Sequence, residues 1–408
     1  MTAIPYEIKL AMNCRFTRSW MIAVILLISS NLPLLQRDLH AQIPNQINGR
    51  ATGGSIRIAT FNTSLYGKEA GQVLARLRGG KNQQAIQLAA IVQSIRPDIL
   101  LVNEIDYDDA GLTVNSFGKQ YLEVGQNGLS GVKYPHRYAV PSNTGQLSGL
   151  DLDGNGESRD ANDAWGYGVY PGQYAMAIYS RFPIVESGIR TFQKYRWSQL
   201  PNALRPMFPG SDKSYYSDEA WEKLRLSSKN HVDVPIRVGK KVIHILASHP
   251  TPPVFDGPDD HNGCRNHDEI KFWTDYLTGR SSTHLIDDRG TAGGLSSDAS
   301  FIIAGDLNSD PVLGDSRHSA INQLLEHPKV QDPQPTSPGA AESTGSKNPC
   351  ATADFGKDRK MRVDYVLPSR DFLIRGSGVF WPATQNSESR WIRATDHRLV
   401  WIEVELQP

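Results

Sequence analysis

Short apolar runs that end on polar side chains recur along this chain. In the clearest case, residues 301–304 are apolar, Gly305 follows, and Asp306 and Asn308 stand two residues apart. A short run of this composition, stopped by a glycine, predicts a buried strand. Residues two apart in an extended chain point to the same side, so a carboxylate and an amide are expected together at the strand's carboxyl end. An Asx-type turn is the alternative interpretation of the same pair.

The amino-terminal part of the domain predicts a strand, a helix and a second strand. Residues 55–62 alternate apolar and polar side chains and end on Asn62. Within residues 82–95 apolar side chains recur with the i, i+3, i+4, i+7 spacing of a helix, which a proline then ends. Residues 98–104 contain another apolar run and end on Glu104. Together these elements make one α/β unit.

The rest of the pattern predicts six more strands and three more helices. The strands are expected at residues 174–180, 231–238, 241–249, 361–368, 373–381 and 399–406. The helices are expected at residues 217–226, 267–278 and 316–325. The intervening sequence indicates an irregular segment at 106–173, a surface insertion at 189–216 and a long loop at 332–360. Strands mixed with helices indicate an α/β fold.

Bulk composition narrows the class of protein. The chain has 408 residues, 39% of them hydrophobic and 21% charged, as in ordinary globular proteins with one large or two smaller domains. Lys+Arg and Asp+Glu both number 43, so the formal charge is zero. A basic surplus that would indicate a non-specific nucleic-acid or anionic-membrane binder is absent, although a balanced total can contain a local basic patch.

The first forty residues have the layout of an export signal. Arg15 and Arg18 precede an apolar stretch that is short for a membrane span, and Ala41 lies at a small-residue cleavage site. We therefore expect a signal peptide at 1–41, a linker at 42–54, one domain at 55–408, and a secreted or periplasmic protein. An N-terminal membrane anchor is the alternative. Signal removal takes away four basic and two acidic residues, so the mature chain is no more basic.

Only two cysteines remain after signal removal. Cys264 and Cys350 both lie in sequence with the composition of loops. In an exported protein they could form a disulfide or stay as free thiols. A two-thiol metal site is disfavoured because no further Cys or His stands at zinc-like spacing.

Polar groups at six strand ends or turns suggest one shared site. They are Asn62, Glu104, His249, Asp306 with Asn308, Asp364, and Asp396 with His397. Ligand sites of α/β sheets lie beyond the carboxyl ends of the strands. If these ends converge, four carboxylates crowd together, and two charges ~4 Å apart repel by ~4 kcal/mol at an effective dielectric near 20. Compensation by a hard cation, Mg²⁺ or Mn²⁺ rather than zinc, is therefore expected, although each residue alone is also a common cap or turn residue.

These motifs resemble those of the endonuclease/exonuclease/phosphatase superfamily, the group of DNase I and the neutral sphingomyelinases. The shared elements are Asn62 after Ala-Thr-Phe, Glu104 after Leu-Val-Asn, Gly-Asp-Leu-Asn at 305–308, Val-Asp-Tyr at 363–365 and Thr-Asp-His at 395–397. They occur in the family's order across residues 55–406. The resemblance implies a four-layer α/β sandwich in which two packed mixed β-sheets are flanked by helices.

The resemblance also implies a metal site and an acid that acts on water. Glu104 is similar to the principal Mg²⁺ ligand of the family, with Asn62 nearby and Asp396 as a further ligand. Asp306 resembles the residue that orients and deprotonates the attacking water. Asp364 resembles the catalytic acid of the family's Asp-Tyr motif.

Other residues resemble the family's phosphate contacts. Asn308 is similar to the phosphate-binding amide, and Asp396 is expected to hold His397 in the tautomer that contacts the scissile phosphate. His249 is a candidate general acid or phosphate contact.

Two positions depart from the family's pattern. Thr395 stands where serine is more usual, which keeps the hydroxyl. DNase-like members pair their histidine with an acid on the strand before Tyr174-Ala-Met-Ala. Here residues 170–174 contain no acid, and Gln173 is the polar residue next to Tyr174. Another partner for His249 is therefore expected, either Gln173 or Asp163. Gln173 and Tyr174 are predicted to contact the substrate.

A separate loop resembles the first half of a calcium-binding loop. Asp151, Asp153 and Asn155 stand two residues apart, with glycine at 154 and 156. The closing Glu of such a loop is missing, since Asn162 stands at its position and Asp163 follows. The loop predicts a bound Ca²⁺, and a series of Asx and glycine turns is the alternative.

Two further polar groups have open interpretations. A cluster at 254–269 is interpreted as a solvated loop or as part of the substrate cleft, and contains Asp259, Asp260, His261 and His267. A basic set among aromatic residues is interpreted as a phosphate-facing wall or as surface side chains, and contains Arg190, Lys194, Arg196 and Arg205.

We predict a secreted, Mg²⁺-dependent phosphoesterase that hydrolyses a phosphate ester by in-line attack of water. The substrate would be a nucleic acid, a phospholipid or a small phosphate ester, and a DNase-like endonuclease is the alternative. A catalytically inactive binding module on the same fold is the alternative from another class. The chain lacks the Gly-x-Ser-x-Gly of a serine hydrolase. We expect a monomer without a stable membrane anchor after signal removal.

Overall fold

A computed structural model of the protein describes residues 54–345, 347–357 and 359–406. The predicted signal peptide at 1–41 and the linker at 42–54, apart from Gly54, lie outside the described residues. Among the helices of the described residues, none is long and apolar enough to cross a membrane.

The secondary structure consists of thirteen strands and seven α-helices within the described residues. The strands are β1 (Ser55–Leu65), β2 (Ile99–Ile105), β3 (His136–Val140), β4 (Ala175–Ser180), β5 (Arg190–Thr191), β6 (His231–Val238), β7 (Lys241–Ser248), β8 (Ser300–Asp306), β9 (Ala353–Asp354), β10 (Lys360–Met361), β11 (Asp364–Pro368), β12 (Phe372–Val379) and β13 (Val400–Leu406). The helices are α1 (Gln72–Leu77), α2 (Gln83–Ile95), α3 (Leu112–Phe117), α4 (Asp218–Lys223), α5 (His261–Leu277), α6 (Ser319–Leu325) and α7 (Pro338–Thr344).

The strands form two mixed sheets. The first has the order β12-β13-β1-β2-β4-β3, in which β1 and β2 are parallel. The second has the order β11-β8-β7-β6-β5, in which β7 and β8 are parallel. The parallel pairs end on the residues predicted for the site, because β1, β2 and β8 run into Asn62, Glu104 and Asp306, and His249 follows β7.

Three apolar cores separate four layers. Ile58 and Ile178 of the first sheet pack in one core with Val234 and Ile302 of the second sheet. A second core lies between the first sheet and helices α1 to α3, and a third lies between the second sheet and helices α4 to α6. The structure therefore confirms the predicted sandwich of two mixed sheets flanked by helices.

Helix α2 forms where its periodicity places it. Leu88, Ile91 and Val92 are buried on one face. The side chain of Asn82 accepts a hydrogen bond from the backbone N–H of Ala85 at 2.9 Å and caps the first turn. This element confirms the sequence prediction closely.

The predicted surface insertion at 189–216 is wrong. Phe192, Tyr195 and Trp197 are buried against helix α5, and the indole N–H of Trp197 donates to Asp268 at 2.6 Å. The basic residues that suggested exposure are partly committed to ion pairs, since Arg190 contacts Asp287 at 2.8 Å. The segment therefore forms part of the third core, where burial of its aromatic rings outweighs its polar composition.

Two predicted loops contain secondary structure. Helix α5 begins at His261, six residues before its predicted start, so Cys264 lies in a helix and not in a loop. The 332–360 loop contains helix α7 and strand β9, and its last residue begins β10. Buried Cys264 and half-buried Cys350 are free thiols, so the structure contains the thiol alternative and not the disulfide.

Candidate active site

Asp306 lies at the centre of the polar strand ends. Its Oδ2 accepts a hydrogen bond from the side-chain amide of Asn62 at 3.0 Å. The Nε2 atoms of His249 and His397 lie 3.5 and 3.6 Å from the same oxygen. Asn62 belongs to the first sheet and Asp306 to the second, so the site spans the contact between the two sheets.

Glu104 belongs to the same group. Its carboxylate oxygen lies 3.9 Å from Nε2 of His249, which links Glu104 to Asp306. Glu104 has a left-handed backbone (φ 57°), so β2 turns sharply at this residue. Among the described residues, none donates a hydrogen bond to the partly exposed carboxylate. The carboxylate of Glu104 thus lies at the edge of the cluster without a hydrogen-bond donor from the described residues.

The acid that orients His397 is Asp364, and the prediction that Asp396 does so is wrong. Nδ1 of His397 lies 2.9 Å from Oδ2 of Asp364. Strand β11 pairs with β8 in the register Asp364 to Asp306, so both carboxylates reach the same imidazole. Asp396 is exposed and accepts from the hydroxyl of Ser64 at 3.2 Å.

Asn308 forms a turn and also lies at the site. Its backbone N–H donates to Oδ1 of Asp306 at 3.0 Å, which is the Asx-type turn of the alternative interpretation. Its side-chain amide donates to the carbonyl of Pro250 at 3.1 Å. The Asx-type turn is therefore present, and the carboxylate and the amide also lie together at the strand end, as the two interpretations expected.

The pKa values of His397 and His249 shift in opposite directions. Burial alone would lower the pKa of His397, but the charges of Asp364 and Asp306 outweigh it and raise the pKa to about 10. Burial and the nearby charge of Lys229 lower the pKa of His249. His397 is therefore favoured as an imidazolium and His249 as a neutral ring.

The pKa values of the two buried acids, Asp306 and Asp364, also shift in opposite directions. Burial would raise the pKa of Asp306, but the charge of His397 and hydrogen bonds from His249 and Asn62 lower it below its usual range. Burial raises the pKa of Asp364, and the neighbouring charge of Asp306 adds to this effect. Asp306 is thus ionised at neutral pH and presents a fixed negative charge to its surroundings.

The donor set fits a hard cation. Asp306, Asp364 and His397 each offer one ligand atom within 4.8 Å of the others. Oδ1 of Asp364 is buried without a hydrogen-bond partner. The carboxylate oxygens of this group suit Mg²⁺ or Mn²⁺ better than soft metals, whereas the charged ring of His397 donates hydrogen bonds and does not ligate. This group differs from the predicted ligands Asn62, Glu104 and Asp396, whose role stays a prediction.

Neither residue suggested as a partner for His249 takes that role. The side-chain amide of Gln173 donates to the carbonyl of Gly67 at 2.8 Å and accepts from the backbone N–H of Val169 at 2.9 Å, so its polar atoms are engaged. Asp163 lies in the loop with Asp151. Nδ1 of His249 is buried without a partner in the part of the chain that the structure describes.

Tyr174 lies near Glu104, as a substrate contact would require. Its ring centroid is 4.7 Å from that of Tyr66, and its backbone is left-handed with φ 56°. Burial raises the pKa of Tyr174 to about 12, with smaller contributions from Tyr66 and Glu104. The two rings form an aromatic wall beside Glu104.

Sequence reasoning missed Lys229 and Tyr66. Lys229 is 6% exposed and lies two residues before strand β6. A usable indication exists in the sequence, because β6 pairs with the strand that ends before His249, so residues just before β6 must lie beside His249.

The calcium site of the 151–163 loop stays a prediction, because the loop contains both close carboxylates and the Asx-type hydrogen bonds of the alternative. The carboxylates of Asp151, Asp153 and Asp163 lie within 4.8 Å of one another and could hold a cation. The side chain of Asn155 is engaged within the loop, since its amide donates to Asp160 at 2.9 Å and its oxygen accepts from the N–H of Glu157 at 2.7 Å.

The 254–269 cluster belongs largely to helix α5 and its first turn. Nδ1 of His261 lies 2.6 Å from Asp259, and its ring stacks on Tyr215 at 4.1 Å between centroids. His267 contacts Asp268 at 2.9 Å. The stacking of His261 on Tyr215 holds the helix start against the 189–216 segment, so the loop interpretation is wrong for residues 261–269 and applies only to the loop at 254–260.

Comparisons with known proteins give one family. The model of the Endonuclease/Exonuclease/phosphatase family matches residues 59–397. A comparison with curated proteins finds no match.

Solved structures with a similar course of the chain share little sequence with it. An endonuclease/exonuclease/phosphatase from Beutenbergia cavernae is 16% identical with a TM-score of 0.48, over 87% of this chain and 72% of that one. The human Nocturnin catalytic domain with a bound sulfate anion is 11% identical with a TM-score of 0.44, over 87% and 94%. Sphingomyelinase C from Streptomyces griseocarneus is 15% identical with a TM-score of 0.43, over 86% and 99%.

The family match covers most of the chain, and its span contains Glu104, Asp306, Asp364 and His397. The chain belongs to the Endonuclease/Exonuclease/phosphatase family, a family of phosphate-ester hydrolases.

Proposed function

We propose that this protein is an exported phosphoesterase that uses a divalent cation to hydrolyse a phosphate ester by in-line attack of water. The observation that carries the proposal is the convergence of Asn62, His249 and His397 on the single carboxylate of Asp306. These four side chains come from distant parts of the chain and lie close enough to act on one phosphate group.

Each residue of the site has a separate role in the proposed reaction. The ionised carboxylate of Asp306 orients a water molecule and accepts its proton as the new P–O bond forms. His397, charged and held by Asp364, donates a hydrogen bond from Nε2 to a phosphoryl oxygen, as does the amide of Asn308. His249 is placed to donate from Nε2 to an ester oxygen. The bond between phosphorus and the leaving oxygen breaks, and the leaving oxygen takes up a proton from bulk water, because the neutral ring of His249 supplies a hydrogen bond and not a proton.

Glu104, with Asp396 and the amide oxygen of Asn62, would hold the cation. When bound, a divalent cation offsets negative charge on the phosphoryl oxygens. The partly exposed carboxylate of Glu104, to which none of the described residues donates a hydrogen bond, supports this assignment.

A substrate panel tests the proposal. Plasmid DNA, sphingomyelin, phytate and a chromogenic phosphate diester are assayed with Mg²⁺ and with a chelator. Asp306→Asn and His397→Ala should each lower turnover of the preferred substrate by about 100-fold or more, because each removes a group that acts on the reacting atoms. Unchanged rates in both variants, or full activity in the chelator, would contradict the proposal.

The alternatives receive less support. A DNase-like endonuclease would need a basic groove, and Arg190 and Arg205 are committed to ion pairs. An inactive binding module would have lost part of the site, whereas the acids, amides and histidines are present and converge. Plasmid DNA in the panel distinguishes the first alternative, and activity of any kind rejects the second.

Export is the second part of the proposal. The sequence pattern of residues 1–41 supports a cleaved signal peptide, with the mature monomer beginning at Gln42. Cell fractionation of a bacterial host with amino-terminal sequencing tests it. Recovery of the uncleaved chain from membranes would favour the N-terminal anchor, and light scattering of the pure protein would check the monomer.

A cation in the 151–163 loop is the last part of the proposal. The three convergent carboxylates of Asp151, Asp153 and Asp163 support Ca²⁺ there. Calorimetry with Ca²⁺ should show a binding event that disappears in Asp151→Ala with Asp153→Ala. Identical titrations would indicate a plain series of turns.

A further inference from the structure

Lys229 is a buried cation that the mechanism above does not use. It is 6% exposed and lies directly before β6, where His231 pairs with Ser248 of β7. The chain therefore brings Lys229 alongside His249 and Pro250. Burial lowers the pKa of Lys229, while the charges of Glu269, Glu104 and Asp306 oppose that effect. The amino group thus lies within the electrostatic reach of two active-site carboxylates.

The amino group is close to the phosphate-binding amide. Nζ of Lys229 donates to the carbonyl of Pro250 at 3.5 Å, and Nδ2 of Asn308 donates to the same carbonyl at 3.1 Å. Two nitrogen donors that share one acceptor must be near neighbours. The shared carbonyl therefore ties Lys229 to the position of Asn308.

A structural role as the partner of Glu269 explains these contacts poorly. The two carboxylate oxygens of Glu269 accept from the backbone N–H groups of Ser228 and Thr251, each at 2.6 Å. The hydroxyl of Ser228 donates to the same carboxylate at 2.9 Å. In the described part of the chain, Lys229 is within 4.0 Å of no carboxylate oxygen, and its one hydrogen bond is long.

A buried amino group with one long hydrogen bond is costly unless something else satisfies it. Lysine ammonium has three donors, so up to two remain for another group. An anion beside it would favour the charged form of Lys229.

We propose that Lys229 is a substrate-binding cation that contacts a non-bridging oxygen of the phosphoryl group beside Asn308. This inference rests on the proposed function of the same site. Lys229 adds a positive charge beside Pro250 and Asn308 when an anion favours its charged form. The substrate class that it favours is a phosphate ester with at least one ionised oxygen at the reacting phosphorus.

The test compares four proteins: wild type, Lys229→Met, Lys229→Arg and Lys223→Met. Lys223 is an exposed lysine at the end of helix α4 and serves as the control for loss of a lysine charge outside the site. Inorganic phosphate is titrated into each protein by calorimetry with Mg²⁺ present, and kcat and KM are measured on the preferred ester. Thermal unfolding of each protein reports its stability.

We expect Lys229→Met to weaken phosphate binding by about 10-fold or more and to lower kcat/KM by about 100-fold, because a charged donor to the phosphoryl group is lost. Lys229→Arg should restore part of the phosphate affinity and part of kcat/KM, since arginine keeps the positive charge. Lys223→Met should match wild type.

Equal phosphate affinity in wild type and Lys229→Met would overturn the inference, as would wild type that binds no phosphate. If Lys229→Met does not fold, Lys229→Gln takes its place, and failure of both to fold would show a structural counter-ion instead. An active wild type that Asp306→Asn inactivates and Lys229→Met leaves unchanged overturns only this inference. A wild type that cleaves no ester but binds phosphate through Lys229 overturns only the proposed function.

Discussion

Two histidines lie on either side of Asp306 and face different charges. His397 faces Asp364 as well as Asp306, which raises its pKa to about 10. His249 faces Lys229, and the pKa of this buried ring falls. The same residue type therefore supplies a charged donor at one position and a neutral ring at the other, since the side chains around each ring differ.

The contact of His397 gives a prediction about its titration. In metal-free protein, Asp364→Asn should lower the pKa of His397 strongly, because Asp364 makes the largest favourable contribution to the imidazolium. Asp396→Asn should lower it less, because Asp396 contributes least among these acids. Turnover of Asp364→Asn should fall by about 100-fold. Imidazole NMR titration measures the shift, and equal shifts in the two variants would contradict the dyad.

His231 gives a prediction about stability against pH. Its ring is buried between Ser227, at 2.6 Å from Nδ1, and the carbonyl of Glu269, at 2.8 Å from Nε2. Burial lowers its pKa from 6.5 to about 4. The unfolded chain therefore binds more protons than the folded one between these values, so stability falls as the pH decreases through this window.

The size of this effect follows from the shift. Between pH 7 and pH 5, His231 should cost the wild type about 2 kcal/mol of unfolding free energy, and this contribution should vanish in His231→Gln. Denaturant unfolding at both pH values measures the difference. An equal loss in wild type and variant would assign the pH dependence to other groups.

At the scale of elements, the sheet that carries Asp306 depends on a close strand contact. A Cβ atom on Gly305 would lie 2.0 Å from the carbonyl oxygen of Ser248 in β7. The parallel pair β7 and β8 holds His249 and Asp306 in register, so this contact also sets the geometry of the site. Glycine is required here because any side chain would separate the two strands.

Gly305→Ala should therefore destabilise the protein by about 3 kcal/mol and reduce activity in the remaining folded protein. Gly376→Ala is the matched control, because a Cβ there meets Trp401 at an ordinary distance of 3.5 Å. Chemical denaturation of both variants measures the difference. Equal stabilities would show that β7 and β8 can separate without cost.

The elements with strong periodicity were predictable, and those held by tertiary burial were not. Helix α2 matches its predicted bounds because its repeat and its Asn82 cap are local. The 189–216 segment was misjudged because Trp197 is buried by helix α5, which begins about sixty residues later in the chain. Helix α5 itself starts early, with its polar first turn fixed by the contact of His261 with Tyr215.

At the scale of the whole molecule, the last strand lies in the interior of a sheet. β13 pairs with β1 on one side and with β12 on the other. Asn62 extends from the same β1, so the end of the chain supports the site. The first sheet is therefore completed by β13, which lies far from β1 in the sequence.

A chain that ends after Leu399 should fail to give soluble folded protein, because it exposes two strand edges and leaves Val400, Ile402 and Val404 out of the core. A chain that lacks only residues 407–408 serves as the control. Solubility and circular dichroism of the two proteins measure the effect. A soluble, active shorter chain would show that β13 is dispensable.

The sequence by itself determined most of the strands, helix α2 and the polar residues at the strand ends. These features are local, because each depends on the spacing of side chains within one segment or on the residue that stops it. The motifs also determined the family that the comparison later gave.

Tertiary structure alone decided which of these residues act on one another. Strand pairing placed Asp364 and not Asp396 against His397, and it brought buried Lys229 beside Asn308. Such contacts depend on register and on the packing of two sheets, which join residues far apart in the sequence. A pattern within one segment contains no information about the partner that a distant segment will bring to it.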